Sequence, residues 1–274
     1  MNCAREREHT LARPIITLTT DYGTKDHWAG AMRGVILNIN PEATVVDITH
    51  DVLPHDILDG ALAIGQTAKY FPPRTIHVVV VDPGVGTQRR PILVAGDTQY
   101  YVAPDNGVLS MIYDQSETVH AWHLTSEHYF LQPVSNTFHG RDIFAPVAAW
   151  LSKAWQTQGF GEEITDFVRF AIPKPKAADT GVKGIVLRVD HFGNIVTNVR
   201  VEDAPALAAA DGKLTIRAGN GEVKKLVQTY AQGAAGETFA LIGSSGYLEI
   251  SMNKGNAAKT LGVARGAEVT VELG

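Results

Sequence analysis

His77-Val-Val-Val-Val-Asp-Pro-Gly-Val-Gly-Thr-Gln-Arg-Arg90 is the stretch on which the fold turns. Its four consecutive valines, Val78 to Val81, form an unbroken apolar run rather than an alternating one. Such a run suits a strand buried on both faces, as in a parallel sheet covered by helices. Asp82 ends the run, and Pro83, Gly84 and Gly86 turn the chain. Ligands of open α/β sheets lie beyond the carboxyl ends of the strands, so Asp82 and its loop stand where chemistry is favoured. A carboxylate at the end of an apolar run needs a partner or a task, and Arg89 offers one. The same residues also make ordinary Asp-Pro-Gly turn chemistry. Gly84-Val-Gly86 lacks the third glycine and the helix start of a dinucleotide fingerprint. The rest of the chain has to decide between loop and site.

Working outward, Ile15 to Thr20 is β-branched and reads as a first strand ending at Asp21-Tyr22-Gly23. A helix is predicted from Asp26, as N-cap, to Asn38, and a second strand from Ala43 to Thr49. Asp56 to Tyr70 spaces Ile57, Leu58, Ala61, Ile64 and Ala68 along one helical face before Pro72-Pro73. Strand–helix alternation of this kind predicts βαβ units. After Arg90 the runs shorten. Ile92–Ala95 and Tyr100–Ala103 flank Gly96-Asp97-Thr98 as a hairpin, a short helix is predicted over Val108 to Tyr113, and Val119 to Leu124 makes another strand. Thr137 to Asp142 opens an apolar helix reaching Lys153. The Pro- and Lys-rich stretch Ile172–Gly181 reads as a linker. Beyond it come short β-like runs at Gly184–Val189, Ile195–Val199, Leu214–Arg217, Tyr247–Ser251 and Val269–Leu273, with turns such as Asp211-Gly212 between them. The prediction is an α/β domain with a largely parallel sheet flanked by helices over residues 1–174. A smaller antiparallel β-barrel domain is predicted over 182–274.

The 274 residues are 45% hydrophobic and 19% charged, which describes an ordinary globular protein rather than a fibrous or disordered one. A formal charge of −5 and the lack of a basic stripe argue against nucleic acid or an anionic membrane as partner. Cys3 is the lone cysteine, so a disulfide framework is excluded and a reducing, cytoplasmic compartment is expected. The polar first 13 residues carry no apolar h-region, so no signal peptide is expected, and no apolar run reaches membrane-spanning length.

Three carboxylates, Asp21, Asp47 and Asp82, lie at or near the ends of three predicted strands, and in a parallel sheet those ends point the same way. Asp47 is the weakest of the three, since Ile48 continues its strand. Together they suit a cation or a hydroxyl-rich ligand, and a carboxylate is well suited to accept both hydrogens of a ribose diol. The histidine pairs His50/His55 and His120/His123 have neither H-E-x-x-H spacing nor cysteines beside them, so no metal site is expected. His139 stands apart at a helix entrance before Gly140-Arg141-Asp142. Asp190-His-Phe-Gly-Asn194 alone is a hairpin turn, whose polar groups have no obvious partner in their own small domain.

Seven blocks, in this order, resemble the S-adenosylmethionine (SAM) hydrolases, also called SAM hydroxide adenosyltransferases. They are Thr19-Thr-Asp-Tyr-Gly23, Val46-Asp-Ile-Thr-His50, Val81-Asp-Pro-Gly-Val-Gly86, Ala103-Pro-Asp-Asn-Gly107, Phe138-His-Gly-Arg-Asp142, Asp190-His-Phe-Gly-Asn194 and Gly243-Ser-Ser-Gly-Tyr-Leu-Glu-Ile250. The resemblance implies hydrolysis of SAM to adenosine and L-methionine without metal or other cofactor. It also implies a homotrimer whose sites lie between one subunit's N-terminal domain and its neighbour's C-terminal domain. By the same resemblance Asp21 holds ribose, and Asp82, Arg89 and His139 handle water, Asp82 also meeting the substrate. Asp190, Phe192, Asn194, Ser244, Glu249 and Met252 fall where the adenine and methionine ends are bound. Ser245 and Met252 stand where the related fluorinases and chlorinases carry arginines. Those enzymes also have tyrosines in place of Asp82 and His139, and an inserted loop after the Arg89 region for which Arg90–Ile92 leaves no room. The competing readings are a non-catalytic adenosine- or SAM-binding protein, which needs no water-handling set, and a halide-dependent adenosyltransferase.

Overall fold

The computed structural model describes residues 13–154, 156–208 and 214–273. Cys3 and the Asp211-Gly212 turn lie outside the described residues. The chain divides into two compact units after Ala171.

In the first unit, β1 (Ile15–Thr20), α1 (Trp28–Ile39), β2 (Thr44–Thr49), α2 (Ile57–Thr67) and β3 (Ile76–Val80) alternate. They are followed by β4 (Pro91–Gly96), β5 (Gln99–Pro104), α3 (Ser110–Gln115), β6 (Val119–Leu124), α4 (Ala145–Ala154) and β7 (Gly161–Ile164). The sheet order is β2-β1-β3-β5-β4-β6-β7. Strands β2, β1, β3 and β5 run parallel, and β4, β6 and β7 are added antiparallel. The valine run behaves as its sequence demands. Val78 and Val80 point into one core with Met32 and Ile36 of α1 and Val147 of α4. Val79 and Val81 point into the other, with Ile64 of α2 and Ile112 of α3. Each valine so buried stabilises the fold by roughly 1.5–3 kcal/mol relative to exposure. Two apolar faces require two layers of helix, and β3 lies in the interior of the sheet between β1 and β5.

Local details depart from the sequence reading. Helix α1 starts at Trp28 with His27 at the cap position and no side-chain cap bond, so Asp26 does not cap it. Asp56 does cap α2, accepting from the Asp59 N–H, but that helix ends at Thr67 and tightens into a 3₁₀ turn over Ala68–Tyr70. The run from Gly140 to Phe144 is a π-helical turn feeding α4.

The second unit is antiparallel throughout its ladders. It comprises β8 (Lys176–Ala178), β9 (Gly181–Val189), β10 (Ile195–Arg200), β11 (Leu214–Ala218), β12 (Gly221–Val223), β13 (Thr238–Ile242), β14 (Tyr247–Met252), α5 (Ala257–Leu261) and β15 (Glu268–Leu273). The order is β12-β11-β15-β9-β10-β14-β13, and β8, inside the stretch read as a linker, pairs with β9. A bridge from Leu226, just past β12, to Ala240 of β13 brings the two ends of this sheet together, giving a nearly closed barrel. Ile195, Val199, Ile216, Leu248, Ile250 and Val271 fill its interior. Strands β7, β8, β12 and β13 have no counterpart in the sequence reading.

Candidate active site

At the carboxyl edge of the first unit's sheet, Asp82 follows β3 and Arg89 lies at the far end of its loop. The guanidinium Nε donates to both Asp82 oxygens at 3.0 Å, and Nη2 donates to Oδ2 as well. The two side chains are only 9% and 5% exposed, so the pair is desolvated and depends on this two-pronged geometry. Gly86 makes the loop possible. It has φ +74°, and a Cβ there would meet the Asn136 carbonyl oxygen at 2.3 Å. The Asp82 loop is thereby pressed against the segment that leads to His139.

Arg89 Nη2 lies 2.7 Å from Nδ1 of His139, 50 residues away in sequence. An arginine can only donate, so Nδ1 accepts and the ring proton sits on Nε2. Burial, and then the Arg89 charge, hold the His139 pKa below its ordinary 6.5 against the opposing pull of Asp82 and Asp142, so the imidazole is neutral at pH 7. The Phe144 ring, at the end of the π-helical turn, lies under the guanidinium with 5.2 Å from Cζ to its centroid. One buried donor remains. Among the described residues Arg89 Nη1 has no hydrogen-bond partner, which leaves a desolvated N–H for a bound oxygen.

The turn after β1 completes this edge. Asp21 accepts from the His55 backbone N–H at 2.9 Å. Tyr22 lies against the helix entrance, where a Cβ on Gly140 would meet its hydroxyl at 2.5 Å. Burial first, then the nearby Asp21 and Asp82 charges, push the Tyr22 phenol above its ordinary pKa, so it stays protonated. Asp47 is already engaged, donated to by Arg33 of α1 and paired with His50 at 3.1 Å. Burial would raise its pKa, but the Arg33 and His50 hydrogen bonds outweigh that and hold it low. The block around Asn106 is a brace. Its side-chain amide donates to the Val81 carbonyl at 2.9 Å, while Asp105 and Asp166 hold Arg90.

In the second unit, the expected lack of partners for the Asp190 turn does not hold. Asp190 Oδ1 accepts from the backbone N–H groups of Phe192 and Asn194, and Oδ2 from the Asn194 side chain at 2.8 Å. The turn satisfies itself, as small Asx motifs do. Its apolar residue does not: Phe192 is 73% exposed. Glu249 of β14 is buried and accepts from the Tyr230 hydroxyl at 2.9 Å. Burial, with the Asp190 charge adding to it, raises the Glu249 pKa against the Tyr230 hydrogen bond. Tyr230 itself is pushed up to about 12, by burial first and then by Glu249 and Asp190. Ser244 is exposed in the turn before β14. Met252 lies away from this group. It packs on the barrel core with Leu248 and Ile250, the β14 residues that alternate with Glu249, and receives the Thr260 hydroxyl at 3.8 Å. Tyr22, Phe144 and Tyr230 were not singled out as site residues from the sequence. Of these only Tyr22, inside the Thr19–Gly23 block, carried a local signal.

Residues 16–161 match the family model described as the SAM hydroxide adenosyltransferase N-terminal domain, and residues 184–270 the corresponding C-terminal domain. The chain is 36% identical to the (R)-S-adenosyl-L-methionine hydrolase of Salinispora tropica, over 95% of this chain and 98% of that one. It is 28% identical to a fluorinase of an Actinoplanes species, covering 94% and 97%. The latter alignment runs to 295 positions, more than the 274 residues here, so that relative has residues without a counterpart in this chain. The fold matches the crystal structure of an uncharacterised conserved protein of Thermotoga maritima with a TM-score of 0.88 and 35% identity, over 93% of this chain and 99% of that one.

Proposed function

The chain belongs to the SAM hydroxide adenosyltransferase family, and from that premise we propose that it hydrolyses S-adenosyl-L-methionine to adenosine and L-methionine. The observation that carries the reading is the Asp82–Arg89–His139 chain, in which the buried donor Arg89 Nη1 has no partner among the described residues. A water held by that N–H would stand beside a neutral imidazole in a desolvated pocket. Its oxygen forms the new bond to C5′ as the C5′–sulfur bond breaks, and the sulfonium leaves as the neutral thioether of methionine. Holding the water at attack distance supplies several kcal/mol, about 7–11 in the best intramolecular cases. Asp82 offsets the sulfonium charge and aims Arg89. The water's proton goes to His139 once Nδ1 exchanges its Arg89 contact for the water, and from there to solvent. Asp21 accepts from the ribose hydroxyls.

The finer parts of the proposal follow the same logic. Asp190, Phe192, Asn194, Ser244 and Glu249 hold the adenine and methionine ends, and Met252 contributes packing rather than charge. No step is routed through a metal or other cofactor, and the compartment is cytoplasmic. Among the described residues no helix is long and apolar enough to cross a membrane. Residues 1–174 and 182–274 act as separate domains, and the active form is a homotrimer in which the exposed Phe192 turn completes a neighbour's site. Light scattering on active protein checks the assembly, and an active monomer would exclude it. The activity is checked by incubation with SAM and EDTA followed by chromatography. Adenosine and methionine are expected, whereas 5′-methylthioadenosine or a 5′-halogenated nucleoside would overturn the reading.

A further inference from the structure

The turn that carries Asp21 is held from one side by the chain running from β2 into α2. Thr20 Oγ1 lies 2.8 Å from His50 Nδ1, and His50 Nε2 lies 3.1 Å from Asp47 Oδ1. Nε2 also lies 3.3 Å from Arg33 Nη2. With the ring proton on Nε2 and aimed at the nearer Asp47 oxygen, Nδ1 accepts from the Thr20 hydroxyl, and the Thr20 oxygen accepts from the Tyr22 N–H at 3.2 Å. Arg33 closes the outer end on Asp47. In that tautomer the bonds run from the Tyr22 N–H through Thr20 and His50 to Asp47, and Arg33 donates to Asp47 rather than to the ring.

Backbone ties run parallel to it. The Gly23 N–H donates to the His50 carbonyl at 2.7 Å, and the Val52 N–H donates to the Thr20 carbonyl at 3.2 Å. The His55 N–H then fixes Asp21 Oδ2. Thr20 is wholly buried and His50 nearly so, which rules out a nucleophilic role for this Thr–His–Asp set. What remains is geometry. A hydrogen-bond series buried at Thr20 and His50, where it meets the turn, and closed at its exposed end by Arg33 specifies one conformation of that turn.

We infer that Thr20 and His50 are positioning residues for substrate binding, with the Asp47–His50–Thr20 series holding the Asp21–Tyr22 turn in the conformation that receives ribose. The inference rests on the role proposed above for Asp21. Thr20→Val and His50→Gln break the Thr20–His50 bond, the latter while keeping an amide near the Nε2 position facing Asp47. His50→Asn keeps an amide near the Nδ1 position facing Thr20.

Steady-state kinetics and calorimetric SAM binding on the wild type and these three variants test it. Thr20→Val and His50→Gln are expected to raise KM and Kd about tenfold with kcat within about threefold, since the ribose contact is made alike in ground and transition states. His50→Asn is expected to stay within about threefold of wild type in KM. An unchanged KM in folded Thr20→Val and His50→Gln, or equal damage from His50→Asn and His50→Gln, overturns the inference. Should Thr20→Val or His50→Gln not fold, His50→Asn decides alone, a tenfold rise in KM counting against. A wild-type protein that neither binds nor hydrolyses SAM would instead defeat the functional reading, and this inference with it.

Discussion

The two polar clusters are built on opposite plans. Asp82, Arg89 and His139 come from sequence positions up to 57 apart, are drawn together by two loops pressed into contact, and leave one buried donor without a partner among the described residues. Asp190, Phe192 and Asn194 come from one five-residue turn that satisfies its own polar groups and exposes an aromatic ring. The first arrangement is preorganised and desolvated, which is what stabilising a charge in a transition state requires. The second offers a face for stacking and little else. On the proposed function chemistry belongs to the first and affinity to the second, so substitutions in each should separate in kcat and KM.

The largest effect is expected at Arg89. Arg89→Lys removes the fork that grips Asp82 while keeping the charge, and should lower kcat by roughly 10³-fold, the upper scale for losing a preorganised donor. A loss confined to KM would remove the contrast between the clusters. His139→Ala comes next. It should lower kcat by about 10²-fold, the usual scale for general-base help, with SAM affinity kept within a few-fold by calorimetry. Lost binding with kcat intact would make His139 a lining residue only.

Much of this contrast was legible in the sequence. The four valines gave a strand buried on both faces, and the cores on either side of β3 confirm it. A carboxylate at the end of that apolar run, Asp82, needs a partner, and Arg89, seven residues on, is the one it has. Their meeting with His139 was not readable from spacing, because it depends on the approach of two loops that only Gly86 permits. Tyr230 had no local signal at all: it reaches Glu249 from a 3₁₀ turn whose position is set by the barrel. The polar isolation expected of the Asp190 turn failed for a local reason, since a short Asx turn can spend its carboxylate on its own backbone. Strands β7, β8 and β12 are three or four residues long, too short for a periodic signal. The Asp26 cap failed because a good capping residue does not fix where a helix begins when the packing of Met32 and Ile36 sets its face.

A smaller effect is expected in the second cluster. Phe192→Ala should raise KM about tenfold, within the range for a lost base–aromatic stack, and leave kcat unchanged. A kcat loss as large as that of Arg89→Lys would merge the two clusters into one catalytic unit. The smallest signal is the pH profile. Because His139 is held below 6.5 and must be neutral to act, kcat/KM should be flat from pH 6.5 to 8 and fall only below 6.5. His139→Ala should abolish that acid limb. A limb centred above 6.5 would place the titrating base elsewhere.

The claim that water attacks C5′ is tested most directly by single-turnover hydrolysis of SAM in ¹⁸O-labelled water, with mass spectrometry of both products. One ¹⁸O atom is expected in the 5′-hydroxyl of adenosine and none in methionine. Unlabelled adenosine, label in methionine, or SAM recovered intact would contradict it.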